Sequence, residues 1–294
     1  MGLNPENYRR SANEFGLKLD YVVSGYNLNS ELKVKSFYES IRTDVVTHSK
    51  EEFENAAKYI SSINIQPDTV VFDIGWNGSI QRFLSELLSL MGNQIHLDGY
   101  YFGLKNYRSG LSMKGYVFNP EMRDQETKIS MMLGLVESFF LAKHGSTKGY
   151  KIISNGQTIP VLSKPDYDND SREFKIVDEI QNGAKIFCKE YSGFKLHLDD
   201  SVYEMTDNIL RLGNMPSDKA VEVFGDFDFN DTDILKMASP KSFTFYMFHC
   251  KELLVDYSKA PWKSGFLRRL IKCNFLFRLA YNAGYCVHIR KAAK

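Results

Sequence analysis

The stretch Val70-Val71-Phe72-Asp73-Ile74-Gly75-Trp76-Asn77-Gly78-Ser79-Ile80-Gln81 limits what this chain can fold into more than any other. A short apolar run ends in an acid, two glycines follow three residues apart, and a helical pattern begins at once. Ile80, Leu84, Leu87, Leu88 and Met91 then recur at a spacing that places them on one helix face. Gly92-Asn93 supplies the stop. Leu97 to Leu104 reads as a second strand, apolar at most positions. Strand, glycine loop, helix and strand make a βαβ unit. Its strands should lie side by side and parallel, with helices over both sheet faces and the loop at the carboxyl end of a strand, where α/β proteins bind ligands.

The flanking sequence extends this pattern. Leu19 to Val23 reads as a short strand. Ser49-Lys50-Glu51-Glu52 has the form of a capping box, and Phe53, Ala56, Ala57 and Ile60 share a face, which predicts a helix over 50–61. Lys114 to Phe118 predicts another strand. A long helix is expected from Asp124 to Ala142, striped by Ile129, Met132, Leu133, Val136, Phe139 and Phe140. Asn155-Gly156 between Lys151-Ile152-Ile153 and Thr158 to Val161 is a hairpin signal. Beyond the polar loop Ser163 to Ser171 the periodicity is mostly helical. Pro216-Ser217-Asp218 opens a short helix that Gly225 stops, and Phe227 and Phe229 fall in an irregular loop. Phe243 to Phe248 is too short and too apolar for its period to separate strand from helix. The expected architecture is α/β: a Rossmann-like domain over 1–165 with a mostly parallel sheet and flanking helices, a mainly helical region over 166–260, and a basic amphipathic tail over 261–294.

Composition bounds the class. Of 294 residues, 43% are apolar and 25% charged, the balance of a folded chain with a sizeable core. The net charge is +1, but its distribution is uneven. Ala260 to Lys294 holds eight Lys or Arg and no acid; taking those eight from 37 leaves 29 bases against 36 acids elsewhere. A mildly acidic body thus carries a basic tail. The four cysteines match neither a zinc pattern nor a disulfide framework, and the six histidines include no pair at metal spacing, so no metal is assigned. No secretory leader opens the sequence, and no apolar run reaches the roughly 18 residues that a membrane span needs. Met1-Gly2 lacks the Ser or Thr that a myristoylation signal requires. The expected compartment is the cytoplasm, extending to the inner face of the cell membrane.

The loop has the parts of a ligand site. Gly75 lets the turn close, and Gly78 lets a helix start or a ligand approach the backbone. Free amides at the helix start, with Asn77 and Ser79, suit a phosphate or carboxylate. Asp73 suits a sugar hydroxyl, a metal or an acid–base role, Gln81 can donate an amide, and Trp76 offers a stacking face for a sugar or base, or else a plug for the core. The loop lacks the lysine of a P-loop and the third glycine of a dinucleotide fingerprint. A methyltransferase using S-adenosylmethionine also places an acid and glycines here, but Trp76 replaces the small residues such loops prefer. No cofactor follows from these residues.

Two further groups stand out. Glu137 lies beside an apolar stripe, as a general acid would, and Lys143, His144, Ser146, Lys148 and Tyr150 follow it. The bland alternative pairs Glu137 with a lysine and leaves Lys143 and His144 as ordinary helix-end residues. In the tail, Trp262, Phe266, Leu270, Cys273, Phe277 and Ala280 can share one face of a helix over 262–281, with Arg268, Arg269 and Lys272 largely elsewhere. Such a helix suits contact with an anionic membrane through Trp262, Phe266, Arg268, Arg269 and Lys272, or packs on the domain with solvated arginines. No zinc module or RNA-binding motif accompanies the charge, so no nucleic-acid partner is expected.

Val71 to Gln81, followed by Gly99-Tyr100-Tyr101-Phe102-Gly103-Leu104, resembles the C-terminal region of large bacterial proteins of capsule and O-antigen loci. Those are labelled predicted hydrolases of the haloacid dehalogenase superfamily, or polysaccharide biosynthesis proteins. Leu135-Val136-Glu137 with Ser146 to Tyr150, Ile180 to Ala184, and Pro216 to Phe229 resemble their later blocks. The nucleophilic Asp-x-Asp run of the dehalogenase-like domain has no counterpart before Asp73, and Phe227-Asp228-Phe229-Asn230-Asp231 lacks the preceding apolar strand. The hydrolase label therefore does not carry over. What the resemblance implies is work on a surface glycan: a glycosyl- or phosphosugar-transferase-like enzyme, or a non-catalytic protein that binds a glycan or a partner.

Overall fold

The computed structural model describes residues 3–22, 30–192, 201–230 and 234–292. After a 3-10 turn at Pro5–Tyr8, the chain runs α1 (Arg9–Glu14), α2 (Leu32–Ser62), β1 (Val70–Asp73), α3 (Ser79–Leu90), β2 (Asp98–Gly103) and β3 (Ser112–Phe118). Next come α4 (Arg123–Ser130), α5 (Leu133–Phe139), β4 (Thr147–Ile152), β5 (Thr158–Leu162), α6 (Arg172–Ser192), α7 (Ser201–Asn214) and α8 (Asp218–Phe224). The chain ends with β6 (Asp228–Asn230), β7 (Ile234–Lys236), α9 (Phe243–Phe248), α10 (Cys250–Lys259), α11 (Lys263–Leu270) and α12 (Asn274–Ala292). No strand forms over Leu19–Val22, and Val23 lies outside the described residues.

Two compact units divide the chain: Met1–Ile65 with Thr147–Ser163, and Gln66–Ser146 with Lys164–Lys294. This division does not follow the sequence boundary at 165, because the hairpin β4–β5 packs on α2. In the first unit Tyr150 of β4 stacks on Tyr59 of α2, with ring centroids 4.7 Å apart. The turn is the one that Asn155-Gly156 predicts: Gly156 has φ +81° and the Gln157 amide donates to Asn155 Oδ1 at 2.9 Å. Helix α2 is far longer than the stretch 50–61. Its Ser49 and Glu52 sit mid-helix, so the capping-box reading fails: the helix already has its start at Leu32.

In the second unit β1, β2 and β3 form a parallel sheet in that order, with Val70 opposite Asp98 and Asp98 opposite Ser112. The βαβ unit is present as read. The sheet stops at three strands, and α3 covers the face that carries Tyr101, whereas Val70 and Phe72 remain 53% and 58% exposed on the edge strand. The structure thus shows an α/β sheet followed by a helical C-terminal part.

The main core lies behind the sheet and among the later helices. It gathers Phe102 and Phe118 from the sheet, Ile129, Met131, Met132 and Leu135 from 129–135, and Phe227, Met237, Trp262 and Phe266 from the C-terminal part. The single helix expected from Asp124 to Ala142 is two helices. The Met131 carbonyl accepts from the Lys263 amide at 2.8 Å and the Gly134 amide donates to the Pro261 carbonyl at 3.2 Å. These long-range bonds stand in for helical ones at the break, a tertiary demand that periodicity cannot register. Phe243 to Phe248 is helical, begun by Ser242, whose hydroxyl accepts from the Phe245 amide at 3.2 Å. Ser217 caps α8 in the same way, accepting from the Ala220 amide at 3.1 Å. The stretch read as an irregular loop forms the antiparallel pair β6–β7, Asp228 opposite Lys236.

Candidate functional site

The turn between β1 and α3 stands at the carboxyl end of the parallel sheet. Its acid faces its own backbone: Asp73 Oδ1 accepts from the Gly75 amide at 2.7 Å, closing the turn. A side chain at Gly75 would press on that carboxylate, 3.1 Å from both oxygens, so glycine and aspartate form one local unit. Gly78 is the N-cap of α3, with φ +64° in the left-handed region where glycine is favoured. A Cβ there would strike the Met113 methyl. Because the N-cap is glycine, no side chain caps the helix, and the first helical bond runs from the Arg82 amide to the Gly78 carbonyl. The amides of Ser79, Ile80 and Gln81 therefore open toward the turn without intrahelical partners.

Two cations flank this opening. Arg108, in the connection between β2 and β3, donates from Nε to the Asn77 carbonyl. Lys105 is tied to the turn by its backbone amide, which donates to the Trp76 carbonyl at 3.0 Å. Its ammonium lies 4.5 Å from the Trp76 ring centroid and 3.8 Å from Glu126. Sequence reading missed both residues, since neither belongs to a motif; a basic residue just past a strand end was the available signal.

The expected roles divide sharply. Trp76 meets Phe118 edge-on at 5.4 Å and packs against the core while half-buried, so it is chiefly a plug, with one face shared with Lys105. Gln81 is fully buried and out of a ligand's reach: Nε2 donates to the Leu97 carbonyl at 2.6 Å and the Ser112 carbonyl at 2.9 Å, and Oε1 accepts from the Tyr101 hydroxyl at 2.7 Å. This corrects its assignment to ligand binding. Gln81 is the bracket that joins the first turn of α3 to β2 and β3. Burial pushes the Tyr101 hydroxyl up to about 12, the Asp73 charge adds to the rise, and Arg108 opposes it. Asp73, Asn77 and Ser79 stay at the opening with Gly75 and Gly78.

The group after the second helix is dispersed. Glu137 is half-buried on α5 between buried Val136 and Ser138. Lys143 pairs with Asp178 of α6 at 2.5 Å, which holds that carboxyl below its ordinary range. Gln181 donates to the Phe139 and Leu141 carbonyls, so this helix end is closed by structural bonds. His144 and Ser146 are exposed, and His144 Nδ1 lies 3.0 Å from the adjacent Gly145 carbonyl. Lys148 and Tyr150 belong to β4 in the other unit, where Tyr150 is taken up by Tyr59. Lys143 is thus engaged in an ion pair and Tyr150 in a ring stack, in different units. Among the described residues no three His, Cys, Asp or Glu side chains gather at metal-ligating distance.

The tail residues also move. Helix 262–281 is interrupted at 271–273, giving α11 and α12. Trp262 and Phe266 are 0% and 1% exposed, and Trp262 Nε1 donates to the Gly213 carbonyl at 2.6 Å. Buried rings cannot reach a membrane, so that expectation is corrected for both. Arg268 donates from a terminal nitrogen to Asp218 at 3.1 Å, and Arg269 forks onto Asp226 at 2.6 and 2.7 Å. These arginines pin α11 to α8 and the turn after it instead of facing lipid. Lys272 alone of the five is exposed.

No protein-family model and no curated protein matches this chain.

Proposed function

We propose that this protein serves the assembly of a surface polysaccharide by holding a phosphate-bearing sugar, such as a nucleotide sugar, at the turn between β1 and α3. The observation that carries the reading is the uncapped amino end of α3, opened by Gly78 and flanked by Lys105 and Arg108. Helix amides and two cations suit a phosphate. The remaining Asp73 oxygen and the Asn77 and Ser79 side chains suit the hydroxyls of a sugar. The scaffold reads as a reduced Rossmann-like unit, with its ligand beyond the carboxyl ends of the strands. The glycan context comes from the resemblance of Val71 to Gln81.

A transferase-like reaction would use Asp73 to orient the acceptor. A binding role without catalysis is favoured by one observation: Asp73 already accepts from Gly75, which leaves it a turn-former with a single oxygen to offer. A thermal-shift panel of nucleotide sugars, sugar phosphates, nucleotides and S-adenosylmethionine tests the reading. Phosphorylated sugars should raise the melting temperature; a ligand present at a hundredfold its Kd adds about 2.7 kcal/mol. Stabilisation by S-adenosylmethionine alone would move the protein to the methyltransferase class. A bound donor that Asp73→Ala leaves bound but unturned would establish the enzyme; binding with no turnover in either form would establish the binding protein.

A further inference from the structure

Helix α12 is apolar on two sides. Phe277 and Tyr281 turn into the core, 4% and 6% exposed, and Gly284 packs against the Tyr257 hydroxyl of α10. At about 100° per residue, positions 275, 279 and 286 fall on the opposite side. There Phe275 and Leu279 are 69% and 52% exposed, flanked by Leu276 and Val287 at 53% and 52%. An amphipathic helix packed on a domain turns polar residues outward; this one turns aromatic and aliphatic side chains to water.

The charge of the C-terminal segment has one sign. No acid occurs from Ala260 to Lys294, against eight bases. Arg268 and Arg269 are consumed by Asp218 and Asp226. Lys272 and Arg278 are exposed and form no ion pair among the described residues, and Arg290, Lys291 and Lys294 add positive charge to the sequence beyond them. Asp124 of α4, an acid that touches this helix, accepts from Tyr285 and is matched by Lys128 at 2.6 Å. Among the described residues no helix is long and apolar enough to cross a membrane.

We propose that the outward face of α12 docks on an anionic lipid surface. Phe275 and Leu279 enter the boundary between headgroups and acyl chains, and Lys272 and Arg278 meet the headgroup charge. Exposed apolar side chains beside unpaired cations are complementary to such a surface on both counts. Trp262 and Phe266 take no part, and the docking is independent of the ligand turn.

Co-sedimentation of the full chain with vesicles tests this. One set is pure phosphatidylcholine; the other contains one third phosphatidylglycerol. The wild type should pellet with the anionic vesicles, and poorly with the neutral ones. Phe275→Ser with Leu279→Ser should weaken binding about a hundredfold. Lys272→Gln with Arg278→Gln should weaken it roughly thirtyfold, from about fivefold per base. All four positions are exposed, so melting temperatures should hold, and the charge variant keeps the test intact if the apolar one misfolds. Three results would overturn the proposal: no pelleting with anionic vesicles, equal pelleting with neutral ones, or a concentration-dependent dimer in sedimentation velocity that the Phe275/Leu279 variant abolishes. The last would make this face an interface between copies of the chain.

Discussion

Replacing Gln81 by leucine is the sharpest probe of how the ligand turn is held. Leucine nearly matches the volume but makes none of the three hydrogen bonds. The Leu97 carbonyl and the Tyr101 hydroxyl would lose a buried partner, at about 1–3 kcal/mol each; the Ser112 carbonyl is nearer solvent and can take water. Apolar burial of the new side chain returns about 1–2 kcal/mol, so the net loss should be about 3 kcal/mol. For a unit of this size that is a fall of roughly 6–12 °C in melting temperature. Urea unfolding followed by near-ultraviolet circular dichroism reads it directly. Tyr101→Phe removes one partner, so the double variant should cost less than the two single changes summed, by at least about 0.5 kcal/mol. The hydroxyl adds a pH signature. Its folded pKa of about 12 exceeds the ordinary 10.0, so the protonated form is the one the fold prefers. That stability is complete below pH 10 and is lost as pH rises toward 12, a decline that Tyr101→Phe should lack. A loss under about 1 kcal/mol for Gln81→Leu, or strict additivity with Tyr101→Phe, would refute the bracket.

Gly78→Ala forces a Cβ into a left-handed residue against Met113, and should cost about 1–2 kcal/mol or more by thermal melting. Trp262→Phe keeps most of the buried ring but removes the bond to the Gly213 carbonyl, which Ser264 also reaches at 2.7 Å. It should cost about 1–2 kcal/mol in urea. Asp226 is held below its ordinary 3.8 by the Arg269 fork. Its contribution is therefore present above pH 3.8 and is lost as pH falls through the lower folded value. The stabilities of wild type and Asp226→Asn should differ at pH 7 and converge in acid; a constant gap across the range would contradict the pairing.

What the sequence made legible follows from local physics. The period of Ile80 to Met91 and the apolar runs around it fixed the βαβ unit, because each element signals itself within a dozen residues. Asn155-Gly156 and Ser217-Asp218 did the same for a turn and a cap. What failed depended on distant partners. Met131 and Gly134 break a helix only because Pro261 and Lys263 arrive there. Trp262 and Phe266 have a spacing that serves a membrane or a core equally well, and Asp218 and Asp226 decided for the core. Gln81 looked like a ligand contact since a polar residue in a first helical turn usually faces out. Its partners, Leu97, Tyr101 and Ser112, lie on elements whose register no local pattern specifies.

The claim on which the functional account rests is that the turn from Asp73 to Ser79 receives a phosphate-bearing sugar between the α3 amides and the Arg108 and Lys105 side chains. Isothermal titration of the full chain with a nucleotide sugar, and with the same sugar unphosphorylated, measures it most directly. The account predicts binding of the phosphorylated form only, weakened about tenfold or more by Arg108→Ala. Absence of binding by every phosphorylated sugar tried, or binding that Arg108→Ala leaves unchanged, would contradict it.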